Sequence, residues 1–177
     1  MKTGKTLVIM VGIAGSGKTT IAKDIKRKYD GTLIASDDIR SNLRLGQSSE
    51  AHRKVFDEVH RQVDVCMSLD TPLIIVDATN LKSFFRQAYL DLADKYHYKK
   101  IAYVVEVDPK TCIKNVQNRD RSVPKDVILR QAAHYDKPKV EEGWDEINVI
   151  TGFKETVKNT VKQKVASFLK KIKKGGK

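Results

Sequence analysis

The stretch GIAGSGKT, from Gly12 to Thr19, decides the fold of this 177-residue chain. It matches the pattern G-x-x-x-x-G-K-[ST], whose glycines allow backbone N–H groups to turn inward and wrap a polyphosphate. We expect Lys18 to neutralise the β- and γ-phosphates and the Thr19 hydroxyl to ligate Mg²⁺. The residues predicted to contact the nucleotide are Gly12, Ala14, Gly15, Ser16, Gly17, Lys18, Thr19 and Thr20.

The residues on either side of this loop provide the context that the motif requires. Leu7 to Val11 is an apolar, β-branched run typical of a buried strand, and Lys18 to about Lys28 has a helical pattern. A strand that leads into a glycine loop and then a helix places the phosphates at the positive end of that helix. These flanks argue against a chance match by a Gly-Ser turn.

Length and composition fit one α/β domain over residues 1–150, followed by a basic segment over residues 151–177. The chain is 40% hydrophobic and has no apolar run of the ~20 residues that span a bilayer. Because Met1 to Thr6 lacks the apolar stretch of a secretory signal, we expect a cytoplasmic protein.

The two cysteines and four histidines lack the spacing of a metal or redox site.

The positive charge is concentrated at the C-terminal end. Nine lysines and one acid, Glu155, lie in residues 151–177, so this segment carries +8 of the net charge of +12. Val157, Val161 and Val165 alternate with lysines, which predicts a basic amphipathic helix. This helix is either a tether to a nucleic acid or membrane surface, or a helix docked on the domain with its lysines outward.

Four further apolar runs predict the remaining strands of a mostly parallel, five-stranded sheet flanked by helices. These runs are Thr32 to Ala35, Leu73 to Val76, Ile101 to Val107 and Glu146 to Ile150. Helical periodicity lies between them, and its predicted segments are Glu50 to Leu69, a helix ending near Tyr96, a helix ending at Asn118, and Lys125 to His134. On the first of these helices, Arg53, Lys54 and Arg61 form either a solvated face or a nucleic-acid contact.

The second strand is followed by SDDIR, Ser36 to Arg40. Ligands of open parallel sheets gather at the carboxyl ends of the strands, which places Asp37 and Asp38 on the same rim as the phosphate loop. A carboxylate there can orient an acceptor hydroxyl and take its proton, and we assign this role to Asp37. Arg40 shares its helical face and could hold a substrate anion. The alternative is that Ser36 or Asp37 caps a short helix.

Two further segments carry candidate site residues. The third strand ends in DATN, where Asp77 is placed to hold Mg²⁺ through its water shell, and Asn80 or Ser83 could cap the next helix. Between the last two helices, Arg119 and Arg121 lie on a short link. They suit a lid that closes over ATP and stabilises charge on the transferred phosphoryl group, or else a solvated charge cluster.

Taken together, four motifs resemble the kinase domain of the phage-type polynucleotide 5′-hydroxyl kinases: GSGKT at Gly15 to Thr19, DDIR at Asp37 to Arg40, DATN at Asp77 to Asn80, and RDRSVP at Arg119 to Pro124. The resemblance extends to about residue 150. It implies a parallel sheet flanked by helices, ATP and Mg²⁺ as cofactors, and transfer of the γ-phosphate to polynucleotide 5′-OH ends. It also implies that Asp37 is the general base, that Arg40 contacts the acceptor's phosphate, and that Asp77 lies near magnesium.

The lid departs from the family pattern, because Arg119 and Arg121 are closer together than the two arginines of the phage enzymes. From the length given, we also expect no phosphatase domain of the kind that some relatives append. Two other functions remain open. One is a kinase of a small alcohol such as a nucleoside, sugar or antibiotic. The other is a switch that binds ATP without phosphorylating an acceptor, although a switch does not need the acceptor base Asp37.

Overall fold

The apolar runs of the sequence form five strands of one sheet in the computed structural model, which describes residues 4–117 and 123–151. The strands are β1 (Thr6–Val11), β2 (Thr32–Ala35), β3 (Leu73–Asp77), β4 (Lys99–Glu106) and β5 (Glu146–Thr151). Their spatial order is β2-β3-β1-β4-β5, and every neighbouring pair is parallel. The predicted five-stranded sheet is therefore confirmed, and it is parallel throughout.

Helices connect the strands, as expected for parallel neighbours. They are α1 (Lys18–Tyr29), α2 (Ser36–Asn42), α3 (Ser49–Ser68), α4 (Ser83–Lys95), α5 (Pro109–Gln117) and α6 (Lys125–Ala133), with a short 3-10 turn over Val140–Glu142 before β5. The predicted boundaries differ from these by one or two residues. Arg119 and Arg121 of the predicted lid, and the predicted C-terminal basic helix, lie outside the described residues.

Strand β1 is buried on both faces of the sheet, because its alternating side chains enter two different cores. Leu7 and Ile9 pack with the apolar faces of α3 and α4, whereas Val8 and Met10 pack with α1. A third, smaller cluster joins α5 and α6 to the start of the phosphate loop through Ile13. No helix in the described part of the chain is long and apolar enough to cross a membrane.

A buried ion pair fixes the segments that surround the carboxyl end of β3. Arg86 of α4 is fully buried, and its Nε and Nη2 donate to the two carboxylate oxygens of Glu142 at 2.8 and 2.5 Å. Its Nη1 donates to the carbonyl oxygens of Asn80 and Asp136 at 3.0 and 2.8 Å. Burial opposes ionisation of Glu142, but hydrogen bonds from Arg86 and Trp144 outweigh it and lower the pKa of this carboxyl.

Replacing Glu142 by Gln should lower the free energy of unfolding by about 3 kcal/mol at neutral pH, because the variant leaves the buried Arg86 charge without its counterion. The matched control is Glu141→Gln, an exposed neighbour, which should change stability by less than about 0.5 kcal/mol. Chemical denaturation of both variants measures the difference. Equal stabilities would show that the pair does not stabilise the fold.

The effect of Glu142→Gln should also depend on pH. A carboxyl whose pKa is lowered on folding stabilises the protein above the unfolded-state pKa, and this contribution is lost as the pH falls through the folded-state value. The difference between wild type and the Glu142→Gln variant should therefore shrink below about pH 4.3, the ordinary pKa of glutamate. Denaturation curves collected over a pH series test this, and a constant difference would contradict it.

Candidate active site

The phosphate loop joins β1 to α1 in a conformation that requires glycine. Gly15 has a φ of 82°, and a Cβ atom there would lie 2.4 Å from the carbonyl oxygen of Cys112. Gly12 has a φ of 151°, and its Cβ would lie 2.6 Å from the carbonyl oxygen of Val105. Gly17, in the left-handed conformation, immediately precedes the first residue of α1. The loop is therefore held against β4 and α5 at a distance that excludes any side chain.

Two polar side chains of this loop point to an anionic ligand. Lys18 is buried, and its Nζ donates to the carbonyl oxygen of Ile13 at 2.9 Å, so the ammonium lies over the loop. The Ser16 hydroxyl is also buried, and none of the residues that the structure describes provides it with a hydrogen-bond partner. A buried hydroxyl beside a buried ammonium at a helix N-terminus suits a bound phosphate group. Ser16 and Lys18, two of the predicted nucleotide-contacting residues, thus give the loop over residues 12–19 the character of a phosphate cradle.

Two side chains that the sequence did not single out brace this cradle from outside. Gln131 of α6 accepts a hydrogen bond from the backbone N–H of Ala14 at 2.8 Å. Asn115 of α5 donates to the carbonyl oxygen of Gly15 at 2.9 Å. The two helices that flank the predicted lid are therefore hydrogen-bonded directly to the phosphate loop. Both residues lie on helices without a motif, and no local pattern distinguishes them.

Acidic residues from two strand ends meet beside Lys18. Asp77, at the end of β3, is buried, and burial raises the pKa of its carboxyl. A hydrogen bond from the Thr19 hydroxyl and the charge of Lys18 oppose that rise, while Asp37 and Asp38 raise the pKa of Asp77 further. The structure therefore brings together residues from three separate segments that the sequence assigned to this rim. They are Lys18 and Thr19, Asp37 and Asp38, and Asp77.

The donor set at this point fits Mg²⁺ bound mainly through a nucleotide. Within residues 4–117 and 123–151, no group of three or more acidic, histidine or cysteine side chains could hold a metal ion by itself. Thr19 and Asp77 supply a hydroxyl and a carboxylate in contact with each other. Mg²⁺ in kinase sites uses one or two such oxygen ligands, water and substrate phosphates rather than a protein cage.

The first turn of α2 carries Asp37 after the N-cap position of the helix. The N-cap residue of α2 is Ala35, and no side chain makes a capping hydrogen bond there. Ser36 instead donates its hydroxyl to the carbonyl oxygen of Asp77 at 3.4 Å, which joins the ends of β2 and β3. The capping alternative for Ser36 and Asp37 is therefore not found. Asp37 is exposed on the rim beside Asp77.

Arg40 has contacts that its sequence pattern did not predict. Its side chain is buried, and Nη1 donates to the carbonyl oxygen of Gly46 at 2.5 Å, while Nη2 lies 3.1 Å from Nδ1 of His52. Burial and the Arg40 charge both lower the pKa of His52, so the neutral imidazole accepts this hydrogen bond. The guanidinium thus holds the α2–α3 loop against α3, one turn after Asp37.

The loop after β3 is fastened to β1 and to the phosphate loop. The backbone N–H of Gly12 donates to the carbonyl oxygen of Thr79 at 3.0 Å. Asn80 has a left-handed backbone with a φ of 49°, and its Nδ2 donates to the carbonyl oxygen of Met10 at 2.8 Å. These bonds set the position of the phosphate cradle relative to Asp77.

The N-terminus of α4 is capped from a distant segment and not by Asn80 or Ser83. The N-cap position is Lys82, which makes no side-chain capping bond, and the Ser83 N–H donates to Oδ2 of Asp136 at 3.2 Å. Both predicted caps therefore have other roles. An acceptor from outside the helix satisfies the orphan donor, which a local motif cannot reveal.

A cavity of about 370 Å³ opens beside the phosphate loop, at the carboxyl end of β4. Its lining is mostly apolar and consists of Gly12, Ile13, Val105, Glu106, Val107, Asp108, Pro109, Ala132 and Tyr135. A largely apolar cavity with a few polar groups is typical of small-ligand sites. Its position next to the cradle suits the remainder of a molecule whose phosphates occupy the loop.

Comparison with known proteins places this site in a family. A family model described as "AAA domain" matches residues 7–138. The 2′,3′-cyclic-nucleotide 3′-phosphodiesterase of Pongo abelii is 34% identical over 113 residues, which are 60% of this chain and 24% of that protein. The chain thus spans about a quarter of the length of this relative.

Solved structures share the fold at lower identity. A gluconokinase from Sinorhizobium meliloti 1021 superposes with a TM-score of 0.67 at 11% identity, with 100% of both chains covered. A chain of the Pnkp1/Rnl/Hen1 RNA repair complex superposes with a TM-score of 0.65 at 22% identity, over 76% of this chain and 45% of that one. The phosphate loop, the parallel sheet and the match over residues 7–138 agree, and the chain belongs to the AAA domain family with the fold of a phosphate-loop kinase.

Proposed function

We propose that this protein is an ATP-dependent kinase that transfers the γ-phosphate of ATP to the 5′-hydroxyl of a polynucleotide. The observation that carries the proposal is the position of Asp37, which lies close enough to Asp77 to raise the pKa of that carboxyl. An exposed carboxylate beside a phosphate cradle and a magnesium-type donor pair has the geometry needed to activate an alcohol acceptor. A protein that only binds ATP does not need this carboxylate.

In this mechanism the Asp37 carboxylate takes the proton of the 5′-hydroxyl as that oxygen attacks the γ-phosphorus. The bond between the γ-phosphorus and the β–γ bridging oxygen breaks, and ADP leaves. Lys18 neutralises charge on the β- and γ-phosphates. Thr19, and Asp77 through water, would hold Mg²⁺, which when bound would supply further neutralisation of the leaving group. Arg119 and Arg121 are proposed to close over the transferred phosphoryl group.

Three observations favour a polynucleotide acceptor. The relative from Pongo abelii is named for an activity on 2′,3′-cyclic nucleotides, and one structural neighbour belongs to a complex named for RNA repair. The chain has a net charge of +12, of which +8 lies in residues 151–177 and +4 in the rest, and a basic chain favours polyanionic partners. We assign the cavity at the carboxyl end of β4 to the base of ATP. The proposed acceptor enters along α2 and the α2–α3 loop. Because β1 lies between β3 and β4, this entrance and the cavity are on opposite sides of the phosphate cradle.

A small alcohol is the second candidate acceptor, and two observations favour it. The gluconokinase of Sinorhizobium meliloti superposes over the full length of both chains. The Arg40 guanidinium is also bound to Gly46 and His52, so contact with an acceptor phosphate requires these hydrogen bonds to be shared or exchanged.

The Asp37→Asn variant should lose about 10²- to 10⁴-fold in kcat, because the amide cannot accept the hydroxyl proton. Its KM for ATP should stay within two-fold, a change that corresponds to about 0.4 kcal/mol of binding free energy. The measurement is transfer of label from ATP to 5′-OH DNA and RNA oligonucleotides in the presence of Mg²⁺. Asp38→Asn, the adjacent exposed carboxylate, is the matched control and should retain most of the activity.

Two results of this assay would decide against the proposal. A wild-type protein that binds ATP but labels no polynucleotide end would remove the polynucleotide kinase function. An Asp37→Asn variant as active as wild type would remove Asp37 as the base, whatever the acceptor.

The salt dependence of KM should separate the two acceptor classes. Binding of a polynucleotide releases counterions, so its KM should rise steeply between low and high salt, with a log–log slope set by the number of phosphates contacted. A small neutral alcohol releases none, and its KM should change little. Steady-state kinetics over a salt series at constant Mg²⁺ measure the slope, with the KM for ATP as internal control.

A further inference from the structure

Resting on the proposed function, we propose that Phe84 and Phe85, supported by Phe56 and His52, form a stacking platform for the bases of a single-stranded nucleic acid acceptor. The platform is the aromatic group made by these four side chains at the N-terminal ends of α3 and α4. It binds the bases behind the 5′-terminal nucleotide and so selects strands over small alcohols.

The four rings form one continuous path across two helices. The centroids of His52 and Phe56 are 4.7 Å apart, those of Phe56 and Phe85 are 6.1 Å apart, and those of Phe85 and Phe84 are 4.1 Å apart. The rings of Phe56 and Phe85 are nearly parallel, at 26°. Neighbouring aromatic faces at this spacing fix one another's orientation.

The two rings that α4 contributes to this path are exposed. Phe84 is 69% exposed and Phe85 is 39% exposed, although phenylalanine is among the residue types most often buried. Phe84 therefore adds little to the core that α4 forms through Tyr89 and Leu90. Large apolar side chains grouped on a surface mark an interaction site.

The platform is continuous with the acceptor rim. His52 is hydrogen-bonded to Arg40, which lies on the same helix as the proposed base Asp37. At the other end, Phe84 lies seven residues after Asp77, the last residue of β3. A strand whose 5′ end reaches Asp37 thus has its next bases above these rings.

The charges around the platform suit a polyanion. Lys82, two residues before Phe84, and Arg44, on the loop before α3, have exposed side chains that form no hydrogen bond or ion pair with the residues that the structure describes. Residues 43–49 and 78–90 contain no acidic residue, and the exposed Glu50 and Asp57 of α3 are paired with Lys54 and Arg53. Aromatic faces flanked by cations are the combination by which proteins bind single strands without reading sequence.

The test measures binding of a 3′-labelled single-stranded oligothymidine with a 5′-OH end, by fluorescence anisotropy without ATP. Phe84→Ala should raise the Kd about ten-fold, since stacking on one aromatic ring has this size of effect. Phe84→Trp should bind as wild type, whereas Phe84→Leu, which keeps an apolar side chain, should bind as weakly as Phe84→Ala. Leu69→Ala is the matched control, because Leu69 is exposed at the opposite end of α3.

The kinase assay then distinguishes this platform from the proposed function. In the active enzyme, Phe84→Ala should raise the KM for the oligonucleotide with kcat unchanged, and should leave the KM for a nucleoside 3′-monophosphate within two-fold.

An active enzyme in which Phe84→Ala binds the oligonucleotide as tightly as wild type would overturn the platform and leave the kinase function intact. Full affinity in Phe84→Leu would likewise overturn stacking and indicate an apolar contact, such as one with a protein. A wild-type protein that does not bind the oligonucleotide would overturn the platform outright.

Discussion

A backbone hydrogen bond from the N–H of Gly12 to the carbonyl oxygen of Thr79 ties together the two loops on which the candidate active site is built. It joins the loop that holds phosphate to the loop that follows the magnesium-type acid Asp77. The bond is possible because β1 lies between β3 and β4, so that the loops after β1 and β3 leave the same edge side by side. Asn80 secures the same junction through the carbonyl oxygen of Met10. The sheet order, rather than any single motif, therefore sets the distance between the phosphate loop and Asp77.

The sequence predicted those features that repeat locally or that end a strand. The phosphate loop was predictable because its glycines and Lys18 occupy fixed positions in eight consecutive residues. Apolar runs gave the strands, and a parallel sheet collects strand ends at one edge, so the meeting of Asp37 with Asp77 followed from topology.

The features that the sequence did not predict arise from side chains that meet across long separations. Gln131 reaches Ala14 over 117 positions, and Arg86 reaches Glu142 over 56. Arg40 matched a family motif, yet its contacts depend on where the α2–α3 loop places the Gly46 carbonyl. No periodicity or spacing encodes such pairs, because they are fixed by the packing of α4, α5 and α6 on the completed sheet.

The contacts of Arg86 also limit how this chain can change in length. The segment between α6 and β5 resembles an ordinary surface loop, of the kind that usually accepts inserted residues. Here it spans a fixed distance, because Asp136 and Glu142 both contact Arg86, and Asp136 also binds the first N–H of α4. One added residue between these two anchors would displace the turn at Asn80 and, with it, the phosphate loop. In homologous chains, insertions and deletions should therefore be depleted from residues 136–142, although this stretch has little regular secondary structure.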